Sequence, residues 1–280
     1  MPDGCQNASG NGLRCMTGIA IPGLAEKLRL LAQLADIGGW SGLTQRFGRS
    51  EKTLRYWGTG NDARPPNMLP SEHLPTLRKV MADAIRADLA SPQVDDLINS
   101  SPSELRHVLL GRSGVALMEV IDLLGKPADA ELFTGRSSNV GLVRVAQKSA
   151  KDVKLRIGLD VPFRLVFSQL RRKTVTIVLQ KSPSAWGYVG TGHRDAKGDL
   201  HIPGQIGGNL LTMVESAETG IHRFVAIGLP TPPSVNLSRY ARDEIALDIA
   251  AVSAIANQLR DIGKEKCYVA FCDVLVERAP

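Results

Sequence analysis

Cysteine is scarce in this chain, long hydrophobic runs are missing and no catalytic signature is recognisable, and each absence closes off a class of protein. The four cysteines, Cys5, Cys15, Cys267 and Cys272, are too few and too unevenly placed for the disulfide framework of a small secreted domain. A reducing compartment and a cytoplasmic location follow as the expectation. Residues 1–20 mix Gly, Asn, Ser and Cys around a lone Arg14 without a continuous apolar stretch, so they read as a flexible leader rather than a signal peptide. The longest apolar stretch, Ile245 to Ala256, contains Asp248 and is too short to span a bilayer, so no membrane contact is expected.

Catalytic motifs are equally sparse. The chain has no Gly-x-Ser-x-Gly elbow, phosphate-binding loop or dinucleotide fingerprint, and Gly190-x-Gly192 lacks the third glycine and a following helix. His73, His107 and His222 are isolated in sequence, and a lone histidine is more often structural than catalytic. The densest polar cluster holds His193, Asp195, Asp199 and His201. Its histidine spacing matches no zinc pattern, and the same residues suit the tip of a β-hairpin. Cys267 and Cys272 stand an odd number of residues apart, which places them on opposite faces of a strand, one in the core and the other exposed, unable to chelate jointly. The reading is a non-enzyme with no metal and no cofactor; a hydrolase assembled around His193 would lack a marked nucleophile.

What is present is patterned in two parts. The 280 residues are 43% hydrophobic, enough for one large core or two modest ones. Leu24, Leu28, Leu31 and Leu34 mark an amphipathic helix from Leu24 to Ile37, followed by short helices from Trp40 to Phe47 and Ser50 to Trp57, with Gly58 just past the end. A loop from Thr59 to Pro70 leads to a helix from Ser71 to about Leu89, with two more from Ser103 to Leu110 and Gly114 to Leu124.

From Val140 the period changes to two. Strands are expected around Val143, Val153 to Ile157, Phe163 to Phe167, Thr174 to Gln180, Trp186 to Thr191, Leu200 to Ile202 and Ile221 to Leu229, with a hairpin turn at Asp195 to Gly198. A long helix from Ser238 to Ile262 should pack across the sheet, and Tyr268 to Val276 should return as a final strand. The predicted class is α+β: a leader (1–20), a helical domain (21–135), and a β-rich domain (136–280) forming an antiparallel β-sandwich or barrel with one long packed helix.

The run from Gly42 to Gly58 resembles the phage-repressor-like helix-turn-helix family, with Leu43, Phe47, Gly48, Leu54 and Trp57 at core and turn positions. Leu74, Leu77, Val80 and Met81 would supply the helix that closes the bundle, so the resemblance covers roughly residues 24–88. It implies that Ser50 to Trp57 is a recognition helix for double-stranded DNA. The candidate DNA-binding residues are Arg46, Arg49, Ser50, Glu51, Lys52, Thr53 and Arg55. The segment Trp186 to Pro203 with Gly220 to Ile227 faintly resembles an uncharacterised bacterial β-sandwich module that accompanies signalling proteins, which implies binding rather than a reaction.

Charge qualifies the DNA reading. Residues 1–135 carry 14 Lys/Arg against 15 Asp/Glu, whereas residues 136–181 carry 11 against Asp152 and Asp160. A near-neutral helical unit binds nucleic acid weakly alone, so a homodimer or the basic segment would have to add phosphate contacts. That segment has two readings of its own, and the favoured one is a solvated array guarding a sheet edge rather than a surface for nucleic acid or an acidic protein. Two functions remain open: a transcriptional regulator with a sensing or assembly domain, or a non-enzymatic signalling or defence-associated adaptor whose helical unit binds protein and whose C-terminal domain contacts a protein partner.

Overall fold

Leucines spaced along one helical face and β-branched residues spaced by two do divide this chain into a helical and a sheet region. A computed structural model describes residues 18–61, 65–134, 147–148, 155–168, 170, 175–206, 209–243 and 245–278. The expected leader up to residue 17, the strand around Val143 and much of the basic segment lie outside the described residues. Two compact units divide between His107 and Val108, whereas the sequence pattern changes at 135/136.

The first unit begins with β1 (Gly18–Ala20), in what was expected to be leader; it pairs antiparallel with β2 (Met68–Pro70) inside the expected loop. Between them lie α1 (Leu24–Ala32), a 3-10 turn at Ala35–Ile37, α2 (Gly39–Phe47) and α3 (Glu51–Thr59). The helix expected to run on to Ile37 therefore stops at Ala32. A 3-10 turn at Ser71–His73 precedes α4 (Leu74–Ile85), which carries Pro75 in its first turn, where a missing N–H costs nothing. It ends at Ile85, with Arg86 as its left-handed cap, short of Leu89. A further helix, α5 (Pro92–Asn99), was not anticipated.

Helix α6 (Pro102–Leu124) is continuous where two helices were expected. Gly114 lies inside it for a packing reason: a Cβ there would sit 3.2 Å from the Trp186 indole nitrogen.

In the second unit, one sheet has the order β3-β15-β14-β8-β9, formed by β3 (Lys126–Pro127), β15 (Tyr268–Glu277), β14 (Gly220–Leu229), β8 (Val175–Lys181) and β9 (Trp186–Gly190). Strand β6 (Leu155–Gly158) also pairs with β15. The other sheet has the order β10-β11-β7-β4-β5, formed by β10 (His193–Arg194), β11 (Leu200–Ile202), β7 (Phe163–Phe167), β4 (Ala130–Thr134) and β5 (Gln147–Lys148). A small pair joins β12 (Gln205–Ile206) to β13 (Asn209–Leu210).

None of these sheets closes into a barrel. Nor is the arrangement wholly antiparallel: β3 and β6 share one edge of β15 and run parallel to it.

One core joins the two sheets through Leu132, Phe163, Leu165, Phe224, Cys272 and Val274. The opposite face of the β14–β15 sheet is covered by helices through Leu117, Ile121, Val252, Ile255 and Leu259. The expected helix from Ser238 to Ile262 is two helices, α7 (Ser238–Asp243) and α8 (Ile249–Ile262). Asp248 stands between them in extended backbone, and its carboxylate accepts from the Ala251 N–H as the cap of α8. Ile245, expected on the buried side, is 48% exposed as a result. Among the described residues no helix is long and apolar enough to cross a membrane.

Candidate functional site

Helix α2 stops because Gly48 adopts left-handed backbone (φ 60), and the chain restarts at Ser50, whose hydroxyl accepts from the Thr53 N–H at 3.2 Å. Leu43, Phe47, Leu54 and Trp57 are all buried, with the Phe47 and Trp57 rings edge-to-face at 5.7 Å. His73 lies against both rings, 4.7 Å from Trp57. Burial, then the charge of Arg49, lowers its pKa. Sequence left His73 isolated because its partners lie more than a dozen residues away.

These pins leave Lys52, Arg55, Tyr56 and Thr59 as the exposed face of α3. The DNA-binding candidates are not equally available. Arg55 ion-pairs with Glu51 at 2.6 Å, one turn back, and its guanidinium stacks over Trp40 at 4.4 Å. Arg46 is held by Asp83 at 2.5 Å, and the Arg49 Nε donates to His73 at 3.2 Å. Ser50 and Thr53 share a hydroxyl contact at 2.9 Å, which commits both to the cap. Lys52 is exposed, its ammonium 5.6 Å from the Tyr56 ring. A cavity of about 490 Å³ opens beside this face, lined by Trp40, Lys52, Arg55, Tyr56 and, from α1, Arg29.

Lys27 also escaped the sequence reading. Its side chain is fully buried and donates to the carbonyls of Ile98 (2.6 Å) and Ser100 (2.7 Å), placing a cation at the C-terminal end of α5. The available signal was a lysine on the apolar stripe set by Leu24 and Leu31.

In the second unit the polar cluster is a hairpin tip: His193 and His201 face each other across β10 and β11, and the Asp195 carboxylate accepts from the Lys197 and Asp199 N–H groups. The His201 Nε2 lies 3.3 Å from Asp195. Among the described residues no group of three or more His, Cys, Asp or Glu is placed to hold a metal ion. Cys267 and Cys272 do belong to different cores, but both are buried, because the sheet carrying β15 is covered on each face.

Of the basic segment, Lys148 is described on β5, Arg156 and Arg164 on β6 and β7, and Lys181 on β8. Arg136, Arg144, Lys151, Lys154, Arg171, Arg172 and Lys173 lie outside the described residues. His222 is fully buried, with Nδ1 2.9 Å from the Gln180 amide and Nε2 3.1 Å from the Glu218 carbonyl.

No family model, curated protein or solved structure matches the chain.

Proposed function

We propose that this chain is a DNA-binding regulator in which α3 enters the major groove of double-stranded DNA and the second unit senses a ligand or mediates assembly. The observation that supports it most is the pinning of α2 to α3 around Gly48, which turns Lys52, Arg55 and Tyr56 outward on one helical face. Lys52 and Arg49 supply phosphate contacts, and Arg55 reads a base edge once it exchanges Glu51 for DNA.

The pairing of Arg55 with Glu51 and of Arg46 with Asp83 favours the second reading, an adaptor whose helical unit binds protein. Binding of random duplex DNA, measured over a range of salt, separates the two. The Arg49/Lys52/Arg55 triple alanine variant should bind weakly and flatten the log K against log salt slope by about 0.9 for each phosphate that is no longer neutralised. Unchanged binding by that variant rejects this surface, and no binding at low salt moves the adaptor ahead.

A further inference from the structure

Strand β9 is the outermost described strand of its sheet, and among the described residues no strand pairs with it on the side away from β8. The Trp186 carbonyl already points away from β8, accepting from the Leu247 N–H at 2.8 Å. Backbone groups in an antiparallel ladder alternate sides, so two residues on, the Tyr188 N–H and C=O face the same way. The register supports this. Ser182 donates to the Ala185 carbonyl at the hairpin end, which makes Gln180 and Gly187 the next hydrogen-bonded pair and leaves Leu179 opposite Tyr188 non-bonded. Native edges are usually blunted by lysine, proline, a bulge or a covering element, and here a register shift that sets Gly190 opposite Val178 leaves Val189 as an extra residue just past Tyr188. Lys181, the nearest lysine, instead bends its ammonium onto the Ser182 and Pro183 carbonyls.

A groove of about 490 Å³ runs along this edge, within the size range of ligand pockets. Its lining includes Gly187 and Tyr188 from the strand, the carboxylates of Glu215 and Glu218, and the side chains of Val214 and Ile245, which are 51% and 48% exposed. Among the described residues, no Lys, Arg or His lines it. The Glu215 carboxylate is held by the Gln180 amide at 2.8 Å and the Ala217 N–H at 3.1 Å, with the buried His222 Nδ1 3.4 Å away behind it. Hydrogen bonds from Ser184 and Ser182 hold the Glu218 carboxyl below its usual range.

We infer that this groove receives an extended peptide segment that pairs with the Tyr188 backbone and lays a lysine or arginine side chain between Glu215 and Glu218. Strand addition supplies the affinity through main-chain hydrogen bonds, the two carboxylates select the cation, and Val214 and Ile245 cover the alternate apolar side chains. This site is independent of the DNA reading.

The test is a titration of the full chain with a blocked Val-Lys-Val-Lys-Val peptide, its Val-Glu-Val-Glu-Val counterpart, a centrally N-methylated basic version, and spermidine, followed by amide chemical shifts. The basic peptide should shift the Gly187, Tyr188 and Val189 amides. The acidic peptide should not, and N-methylation should weaken binding about ten-fold. Glu218→Gln should weaken it roughly three- to five-fold. Tyr188→Pro, which removes the outward N–H without taking a donor from the β8–β9 ladder, should abolish pairing while Tyr188→Ala retains it. Equal binding of acidic and basic peptides, no shifts at millimolar peptide, insensitivity to N-methylation, or spermidine binding as tightly as the peptide would each overturn the inference.

Discussion

The helical unit and the sheet unit solve burial differently. In the first, each helix offers one stripe, and the core closes around a few pins: Phe47 on Trp57, Leu43 and Leu54 beneath the turn, and a lysine tying α1 to α5. In the second, one sheet is covered by helices on one side and by another sheet on the other, so β14 is buried without a break from Phe224 to Leu229. A unit built on pins should concentrate its sensitivity in a few places, and a sheet buried on both faces should spread it along whole strands.

The sharpest challenge to this contrast is Phe224→Ala. Phe224 is fully buried and meets Phe163 of the other sheet edge-to-face at 5.9 Å, so truncation should cost about 3–5 kcal/mol in chemical denaturation. A loss below about 1 kcal/mol would mean that the two sheets do not share a tight core.

Next in size is Lys27→Ala, which strands the Ile98 and Ser100 carbonyls and opens a cavity; a cost of about 2–4 kcal/mol is expected. Burial pushes the Lys27 ammonium down to about 8 from its usual 10.5, against the opposing pull of Glu104. Between those values the unfolded chain keeps a proton that the folded chain has released. This group therefore adds stability as pH rises through the window, by no more than about 1.4 kcal/mol per pH unit. Hydrogen exchange of α1 and α5 amides should show that rise in the wild type and lose it in Lys27→Met.

The smallest effect expected is for Gly58→Ala. Helix propensity alone favours alanine by about 1 kcal/mol, but the new Cβ would fall 2.4 Å from the Ala25 Cα, so α1 and α3 must part, for a net loss of about 1–3 kcal/mol. A gain in melting temperature would show that this helix pair yields more easily than a pinned core should.

How much of this was legible follows from the range of the forces involved. Local signals read true: Ser50 capping α3, Gly48 ending α2, the Asp195 turn, and the alternation in β7. Gly58 misled because a glycine that admits another helix looks, in one dimension, like one that ends its own. Gly114 in α6 did the same, since Trp186 lies far along the chain. The parallel pairing of β6 with β15 joins residues more than a hundred positions apart and leaves no local trace. At the proposed DNA face, periodicity placed Lys52 and Arg55 outward, but nothing local could show that Arg46 is engaged by Asp83.

Two sulfurs bracket the first half of the last strand. Cys267, just ahead of β15, sits under the helices; Cys272, within it, lies between the sheets, and burial raises the pKa of both thiols. While the strand stays extended, their Cα atoms are held well beyond the roughly 7 Å span of a disulfide. Each is thus a separate seal on its own compartment: a reagent that labels Cys267 alone has found the helical layer lifting, and one that labels Cys272 alone has found the sheets drawing apart.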